Sequence, residues 1–270
     1  MRLSISNIAW DVSEDDRVAA ILREMGFSAI DIAPGKYFPD PHTTTASDIA
    51  EVRRWWERRG VEIIGMQSLL FGTQGLNLFG PAQDMMLERL GAVLKIAKGL
   101  NATRLTFGSP KNRDRTGITD GEALRVAVDF FRRLGDLVGC DGTKICLEPK
   151  PPAYGCNFMI DSEETATVVR ATGHPSISMQ FDSGASYLNE EDVALVFERN
   201  KSIIEHCHAS EPHLSPLGTG QVNHHEVASS IPSDVAARVA VCVEMLPDKS
   251  RHEASLRNAL AAAAAAYIKA

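Results

Sequence analysis

Residues 144–148 read KICLE, a short strand-like run of apolar residues that ends in the carboxylate Glu148. Three later segments have the same form and end in Asp182, His208 and Glu244: SMQFD at 178–182, EHCH at 205–208 and VCVE at 241–244. Short β-branched or apolar runs of this kind are typical of buried strands. The repetition predicts a parallel sheet in which four neighbouring strands end in polar side chains at one edge.

Eight such runs are spread along the chain. They lie at 3–9, 29–33, 62–67, 104–107, 144–148, 178–182, 203–208 and 240–244. Between them, apolar residues recur every three or four positions, which predicts helices, and several of these helices end at a glycine such as Gly26, Gly60 or Gly99. Eight regular β-then-α units favour a closed (β/α)₈ TIM barrel, an α/β fold with one domain over 1–270.

The composition is that of a globular chain of 270 residues, 44% hydrophobic and 23% charged. Because the formal net charge of −7 repels phosphate backbones and anionic lipids, we expect neither nucleic acid nor a membrane as a partner. We see no signal segment at the start, and the five cysteines are odd in number and lack a C-x-x-C pair, which indicates reduced thiols. These cysteines are Cys140, Cys146, Cys156, Cys207 and Cys242. We expect a cytoplasmic protein, and assembly into a homo-oligomer stays open.

The four strand-ending residues predict a metal site, because active sites of such barrels lie at the carboxyl ends of the strands. Three buried carboxylates and an imidazole on adjacent strands repel one another unless a cation compensates them. The set of three oxygen ligands and one nitrogen suits Mn²⁺, Mg²⁺, Co²⁺ or Zn²⁺. The alternative is that each acid pairs with a basic residue such as Lys150 or Arg104.

Strand alternation extends the site in two directions. If His208 faces the barrel interior, then His206 lies one layer below it, where it either supports the metal ligands or is a hydrogen-bonded core histidine. By the same alternation Lys150 faces the mouth together with Glu148, where it either meets a substrate oxygen or is a solvated loop lysine. The candidates for substrate contact are Trp10, Gln67, Lys150, Asn157 and His213. The glycines at 218 and 220 could bring backbone amides to a phosphate, but we interpret this segment as a turn.

The chain resembles the xylose isomerase-like superfamily of TIM barrels, and more closely its sugar phosphate isomerase/epimerase branch. The strings that carry the resemblance are LEPKPPAYGCNF at 147–158, QFDSG at 180–184, HCHASEPHLSPLGTGQVNH at 206–224 and VCVEML at 241–246. The resemblance implies one divalent metal, with Mn²⁺ as the first choice, bound by Glu148, Asp182, His208 and Glu244. It further implies that the two glutamates act as the acid–base pair in proton abstraction next to a carbonyl of a carbohydrate-like substrate, through a metal-stabilised enediolate.

The sequence departs from the ketose 3-epimerases of this branch at three places. Those enzymes carry a glutamate, a histidine and an arginine where this chain has Tyr154, Ala185 and Leu214, so the grip on substrate hydroxyls is not reproduced. A keto-sugar or inosose dehydratase, which uses the same first proton abstraction, is therefore a competing interpretation. A non-catalytic sugar-binding barrel is another, and a DNA endonuclease of the same superfamily is disfavoured because strands three and four offer Gln67 and Ser109 instead of histidine ligands.

Overall fold

A computed structural model describes residues 1–139, 141–248 and 250–268, so Cys140 lies outside the described residues. The strands are β1 (Arg2–Ser6), β2 (Ala29–Ile32), β3 (Glu62–Met66), β4 (Arg104–Phe107), β5 (Lys144–Leu147), β6 (Ile177–Asp182), β7 (Ile204–Ser210) and β8 (Ala240–Glu244). The helices are α1 (Asp15–Glu24), α2 (Ala46–Glu57), α3 (Gln83–Leu100), α4 (Asp120–Val138), α5 (Ser162–Thr172), α6 (Ser183–Leu188), α7 (Val193–Asn200), α8 (His224–Ser230), α9 (Ser233–Ala236) and α10 (His252–Tyr267).

The eight strands pair in chain order, all parallel, and β8 pairs with β1, which closes the barrel. The helices surround it because each parallel connection must cross back outside the sheet. Buried apolar side chains such as Leu22, Leu90, Phe131 and Leu256 fill the layer between helices and strands and belong to one connected hydrophobic core. The predicted (β/α)₈ TIM barrel is confirmed.

Most strand boundaries lie within one residue of the prediction, but the carboxyl ends of two strands differ by two or more residues for local reasons. The first strand was expected to reach residue 9 but ends at Ser6, because the Ser6 hydroxyl accepts the N–H of Ile8 and caps a 3₁₀ turn. The seventh was expected to end at His208 but extends to Ser210, which pairs with Glu244 of β8. This longer ladder places the end of β7 beside the end of β8.

The barrel interior is unusually polar. Asp31 of β2, Thr106 of β4, Gln180 of β6 and His206 of β7 are all buried there, whereas barrels of this fold are filled mainly by branched aliphatic side chains. The Thr106 hydroxyl donates to Gln180 Oε1, so this layer is partly satisfied by its own hydrogen bonds. A polar column therefore runs from the barrel centre to the carboxyl ends of the strands.

The described cysteines are free and buried: Cys146, Cys156, Cys207 and Cys242. Burial raises the pKa of Cys146 to about 12, which keeps that thiol protonated at neutral pH. Among the described residues, no helix has both the length and the apolar character needed to cross a membrane.

Candidate metal centre

The four predicted ligands meet at the carboxyl ends of the last four strands. Glu148 directly follows β5, Asp182 ends β6, His208 lies near the end of β7, and Glu244 ends β8. Each is at most 4% exposed, and one ligand atom from each lies within 4.8 Å of all the others. Metal–ligand bonds of about 2.0–2.3 Å hold ligand atoms roughly 3–4 Å apart, so the set fits a divalent cation after a small contraction.

Some ligand-type atoms in this group have no hydrogen-bond partner among the described residues. Asp182 Oδ1 accepts the N–H of Ala185 at 2.7 Å and the hydroxyl of Ser210 at 2.8 Å, which leaves Oδ2 without a hydrogen bond from any described residue. Glu244 Oε2 and both ring nitrogens of His208 are likewise buried without a hydrogen bond from the described part of the chain. His208 Nδ1 lies 3.2 Å from Glu244 Oε2, but the two are poorly aligned for a hydrogen bond. Buried polar atoms of this kind usually have partners, and a cation would supply one.

Lys150 is the basic side chain nearest to Glu148 and Asp182. Its Nζ lies 3.0 Å from Glu148 Oε1 and 3.8 Å from Asp182 Oδ2, and the side chain faces the cavity at the barrel mouth. Burial alone lowers the pKa of Lys150, but attraction to Glu148, Asp182 and Glu244 outweighs it and raises the pKa above its ordinary value. The ammonium therefore shares the carboxylates that a metal would use. Arg104, the other basic partner considered, is bonded to Glu205 instead.

The two glutamates are held in the ionised form. Burial raises the pKa of Glu148, but attraction from Lys150 and the nearby His208 bring the pKa below its usual range. Burial also raises the pKa of Glu244, and attraction from His208 and Lys150 again lowers it overall. The same carboxylates raise the pKa of His208 well above its usual value despite the opposing effect of burial. Without a metal, His208 thus carries the proton that a cation would displace.

Two glutamine amides orient the glutamates. Gln67, which follows β3, donates from Nε2 to Glu244 Oε1 at 2.6 Å. Gln180 of β6 donates from Nε2 to Glu148 Oε1 at 2.7 Å. Each carboxylate thus has one fixed hydrogen bond from a neutral donor. Gln180 was missed in the sequence, although its place two residues before Asp182 on the same face of β6 was a usable signal.

A second group of ligand-type side chains lies one layer deeper. His206 Nε2 is 2.8 Å from Asp31 Oδ2, and atoms of Asp31, His206, His208 and Cys242 lie within 4.8 Å of one another. None of Asp31, His206 and Cys242 has exposed surface or lines the cavity. His206 therefore lies where strand alternation predicted it, beneath His208, with the two rings edge to face at 5.2 Å. Asp31 was missed, although an acid inside the apolar run AIDI signals a buried partner.

A cavity of about 530 Å³ opens above the predicted ligands. Gln67, Glu148, Lys150 and Glu244 form part of its lining, so two predicted contact residues, Gln67 and Lys150, face this space together with both glutamates. The volume is within the range of small-molecule sites.

The other three predicted contact residues lie elsewhere. Trp10 is 1% exposed, donates its indole N–H to Asp15 and packs edge-on against Trp56, so its ring is not free to stack on a sugar. Exposed Asn157 is bonded to Asp114 and lies outside the cavity lining. The exposed side chain of His213 also lies outside that lining. The physical reason is the same in each case: the side chain already packs against or hydrogen-bonds to a residue of a neighbouring loop or of the core.

His213 and the 218–220 segment belong to one loop. The His213 N–H donates to the hydroxyl of Tyr154, and its ring packs edge-on against the tyrosine. Glu211 accepts the backbone N–H groups of Gly218 and Val222. The turn interpretation of residues 218–220 agrees with the structure, because the Thr219 N–H donates to the Pro216 carbonyl at 3.1 Å and the Gly218 N–H already binds the carboxylate of Glu211.

Comparison with known proteins identifies the family of this barrel. The family model described as xylose isomerase-like TIM barrel matches residues 19–269. The chain belongs to this family. No curated protein sequence matches it significantly.

Solved structures resemble this xylose isomerase-like barrel over almost its whole length. One is a D-psicose 3-epimerase in the presence of D-fructose, 15% identical, with a TM-score of 0.81 and 99% of each chain covered. Another is an AP endonuclease, family 2, from Brucella melitensis, 19% identical, with a TM-score of 0.76 and coverage of 98% of this chain and 99% of that one. A probable 3-DHS dehydratase from Bacillus anthracis is 14% identical, with a TM-score of 0.74 and coverage of 97% and 98%. At these identities, the likeness shows the fold.

Proposed function

We propose that this chain is a divalent-metal-dependent isomerase or epimerase that moves a proton at the carbon next to a carbonyl of a sugar-like substrate. The observation that carries the proposal is the pair Glu148 and Glu244, two ionised carboxylates at the floor of one cavity and beside one group of cation ligands. The family and the sugar 3-epimerases among the structural neighbours support it. We further propose that Glu148, Asp182, His208 and Glu244 bind one Mn²⁺, with Mg²⁺, Co²⁺ or Zn²⁺ as alternatives.

The chain's own groups suit proton transfer. Glu148 and Glu244 come from strands three places apart in the barrel, so a substrate carbon between them presents one face to each. One carboxylate takes the proton from the first face, and the other returns a proton to the opposite face. A divalent ion, if held by Glu148, Asp182, His208 and Glu244, would act as a Lewis acid that polarises the substrate carbonyl and eases loss of the neighbouring proton. Gln67 holds Glu244 and Gln180 holds Glu148 in position while each carboxylate gains or loses a proton.

Lys150 binds a substrate oxygen in this proposal. Its ammonium faces the cavity and is kept protonated by Glu148 and Asp182, so it can donate to the carbonyl or to a neighbouring hydroxyl. The same feature favours the second candidate function, a dehydratase, because a protonated lysine beside the substrate can give a proton to a leaving hydroxyl. The probable dehydratase among the structural neighbours supports this candidate.

Nucleic acid is not a proposed substrate, although one structural neighbour is an AP endonuclease. The net charge of −7 disfavours a phosphate backbone. In addition, the cavity receives Gln67 and Ser109 after β3 and β4, where further metal sites would need histidines. A small hydroxy-carbonyl compound fits these side chains better.

The test is incubation of the Mn²⁺-loaded protein with keto-sugars and inososes in D₂O, read by proton NMR and mass. We expect one deuterium at the carbon next to the carbonyl, with loss of water if the dehydratase candidate is correct. Glu148→Gln and Glu244→Gln should each lower the exchange rate by about 10²–10⁴-fold. Glu88→Gln, at an exposed position of α3, is the matched control. Exchange that survives in both active-site variants contradicts the proposal. A complete lack of exchange with every hydroxy-carbonyl compound tested, including those that carry an apolar group, also contradicts it and favours a non-catalytic barrel.

A further inference from the structure

The cavity has a polar floor and apolar walls. The floor contains Gln67, Glu148, Lys150 and Glu244, whereas most of the other large side chains in the lining are aliphatic or aromatic, with Lys36, Ser68, Thr106 and Ser109 as the polar exceptions. Six of these wall residues are Ile8, Leu69, Leu70, Phe71, Leu214 and Leu246. They follow β1, β3, β7 and β8, so they stand on the same side of the barrel as the predicted ligands. One end of the cavity thus suits charge, and the other suits a hydrophobic group.

The backbone fixes these walls in place. Ser68, His213 and Leu214 have φ values of 56°, 59° and 56°, a left-handed conformation that side chains other than glycine rarely adopt. The strained Ser68 separates Gln67 of the floor from Leu69 of the wall, and Leu214 is itself a wall residue. Strain of this kind persists where the surrounding structure holds it, and it concentrates at ligand sites. The Leu246 N–H donates to the Leu214 carbonyl at 2.8 Å, which joins the two wall leucines.

The apolar walls are poorly suited to a free sugar. A sugar hydroxyl that leaves water and faces Leu69, Leu70 or Leu214 finds no hydrogen-bond partner on those side chains, which disfavours binding. The nearby Lys36 does not change this, because its Nζ already donates to the carbonyls of Asn7 and Trp10.

Exposed apolar side chains at the rim indicate what the walls accept. Phe71 is 83% exposed and Leu246 is 49% exposed, although both line the cavity. Large apolar side chains grouped around a cavity are a feature of sites that bind apolar ligand surface. Burial of Phe71 and Leu246 against such a ligand removes apolar area from water and favours binding.

We propose that the substrate is a hydroxy-carbonyl compound that carries an aromatic or alkyl group, with the hydroxy-carbonyl unit on the polar floor and the apolar group against Leu69, Leu70, Leu214 and Leu246. This inference rests on the proposed function, because the floor is assigned to proton transfer at the same carbonyl. It excludes a free, fully hydroxylated sugar as the preferred substrate.

The test uses two probes that share the reacting unit. Both 2-hydroxyacetophenone and dihydroxyacetone have a CH₂OH group next to a carbonyl, but the first carries a phenyl ring where the second carries a hydroxymethyl group. Calorimetric titration of the Mn²⁺-loaded protein should show binding of the phenyl probe tighter by about tenfold or more. The binding should also have a negative heat-capacity change, the mark of apolar burial.

Two variants make the result specific to the walls. Leu214→Arg puts a charge into the wall and should reduce the preference for the phenyl probe by about tenfold. Leu137→Arg, at an exposed position of α4 outside the cavity lining, should leave the preference for the phenyl probe unchanged. Equal or tighter binding of dihydroxyacetone, or no binding of the phenyl probe, overturns the inference.

Deuterium exchange keeps this inference separate from the proposed function. If neither probe nor any keto-sugar exchanges a proton in D₂O, the proposed function fails, whichever probe binds more tightly. If dihydroxyacetone or free keto-sugars exchange and bind at least as well as the phenyl probe, the function stands and the apolar substrate class is wrong.

Discussion

At the residue scale, Gly108 controls the position of Glu148. A Cβ at residue 108 would overlap the Oε2 atom of Glu148, so only glycine allows the carboxylate its place over the strand ends. Gly108 also lines the cavity. The sequence FGSP therefore carries a requirement that is visible only once β4 and β5 are side by side.

We expect Gly108→Ala to weaken Mn²⁺ binding by about tenfold or more, since the new methyl group displaces a ligand carboxylate. Calorimetric titration with Mn²⁺ measures the effect. Gly121→Ala is the matched control, because a Cβ there meets no atom within 4 Å. An unchanged affinity in Gly108→Ala would mean that Glu148 does not bind the ion.

The ammonium group of Lys150 affects cation binding at the same carboxylates. This ammonium lies 3.0 Å from Glu148 and 3.8 Å from Asp182, so it repels a cation that uses the same carboxylates. Lys150→Met should tighten Mn²⁺ binding by about tenfold and lower the rate of deuterium exchange, because it removes both the repulsion and the donor to the substrate. Lys111→Met, at an exposed position, serves as the control. Weaker Mn²⁺ binding in Lys150→Met would contradict this role.

At the element scale, the loop between β7 and α8 is organised by Glu211. This carboxylate is 1% exposed, accepts the N–H groups of Gly218 and Val222, and lies 3.2 Å from His224 Nε2. A Cβ at Gly220 would overlap Glu211 Oε2, which explains the second glycine of the GTG segment. The loop carries the wall residue Leu214, so its order affects the cavity.

Glu211→Ala removes the partner of two partly buried N–H groups and of the buried His224 ring, and we expect the unfolding free energy to fall by about 3 kcal/mol. Urea unfolding measures this change, and limited proteolysis should cut the loop faster than in the wild type. Glu51→Ala, at an exposed position of α2, should change neither the unfolding free energy nor the rate of proteolysis. A stability within about 0.5 kcal/mol of the wild type would show that the loop does not depend on this carboxylate.

The elements also show what sequence reasoning can reach. Glu148, Asp182, His208 and Glu244 were predictable as neighbours because residues that end successive parallel strands must share one face of a closed barrel. The packing role of Trp10 could not be predicted in this way, because its partner Trp56 lies on α2 and only tertiary packing brings the two rings together. The hydrogen bonding of Asn157 could not be predicted either, since its partner Asp114 belongs to a different long loop.

At the scale of the whole molecule, the predicted ligands come from β5 to β8, and an ion bound to them joins half of the barrel. Binding only to the folded chain stabilises it, by about 2.7 kcal/mol when free Mn²⁺ is 100 times its Kd. For a domain of this size we expect Tm to rise by roughly 5–10 °C. Thermal unfolding with Mn²⁺ and then with excess chelator measures the rise and its reversal. A Tm indifferent to Mn²⁺ argues against binding.

The proposed chemistry requires one Mn²⁺ bound per chain by Glu148, Asp182, His208 and Glu244. Calorimetric titration of the chelator-treated protein should give a stoichiometry of one, lost in Asp182→Asn and kept in Cys242→Ala, which changes only the deeper group of ligand-type side chains. Absence of binding in the wild type, or equal binding in Asp182→Asn, would contradict a metal site at these four residues.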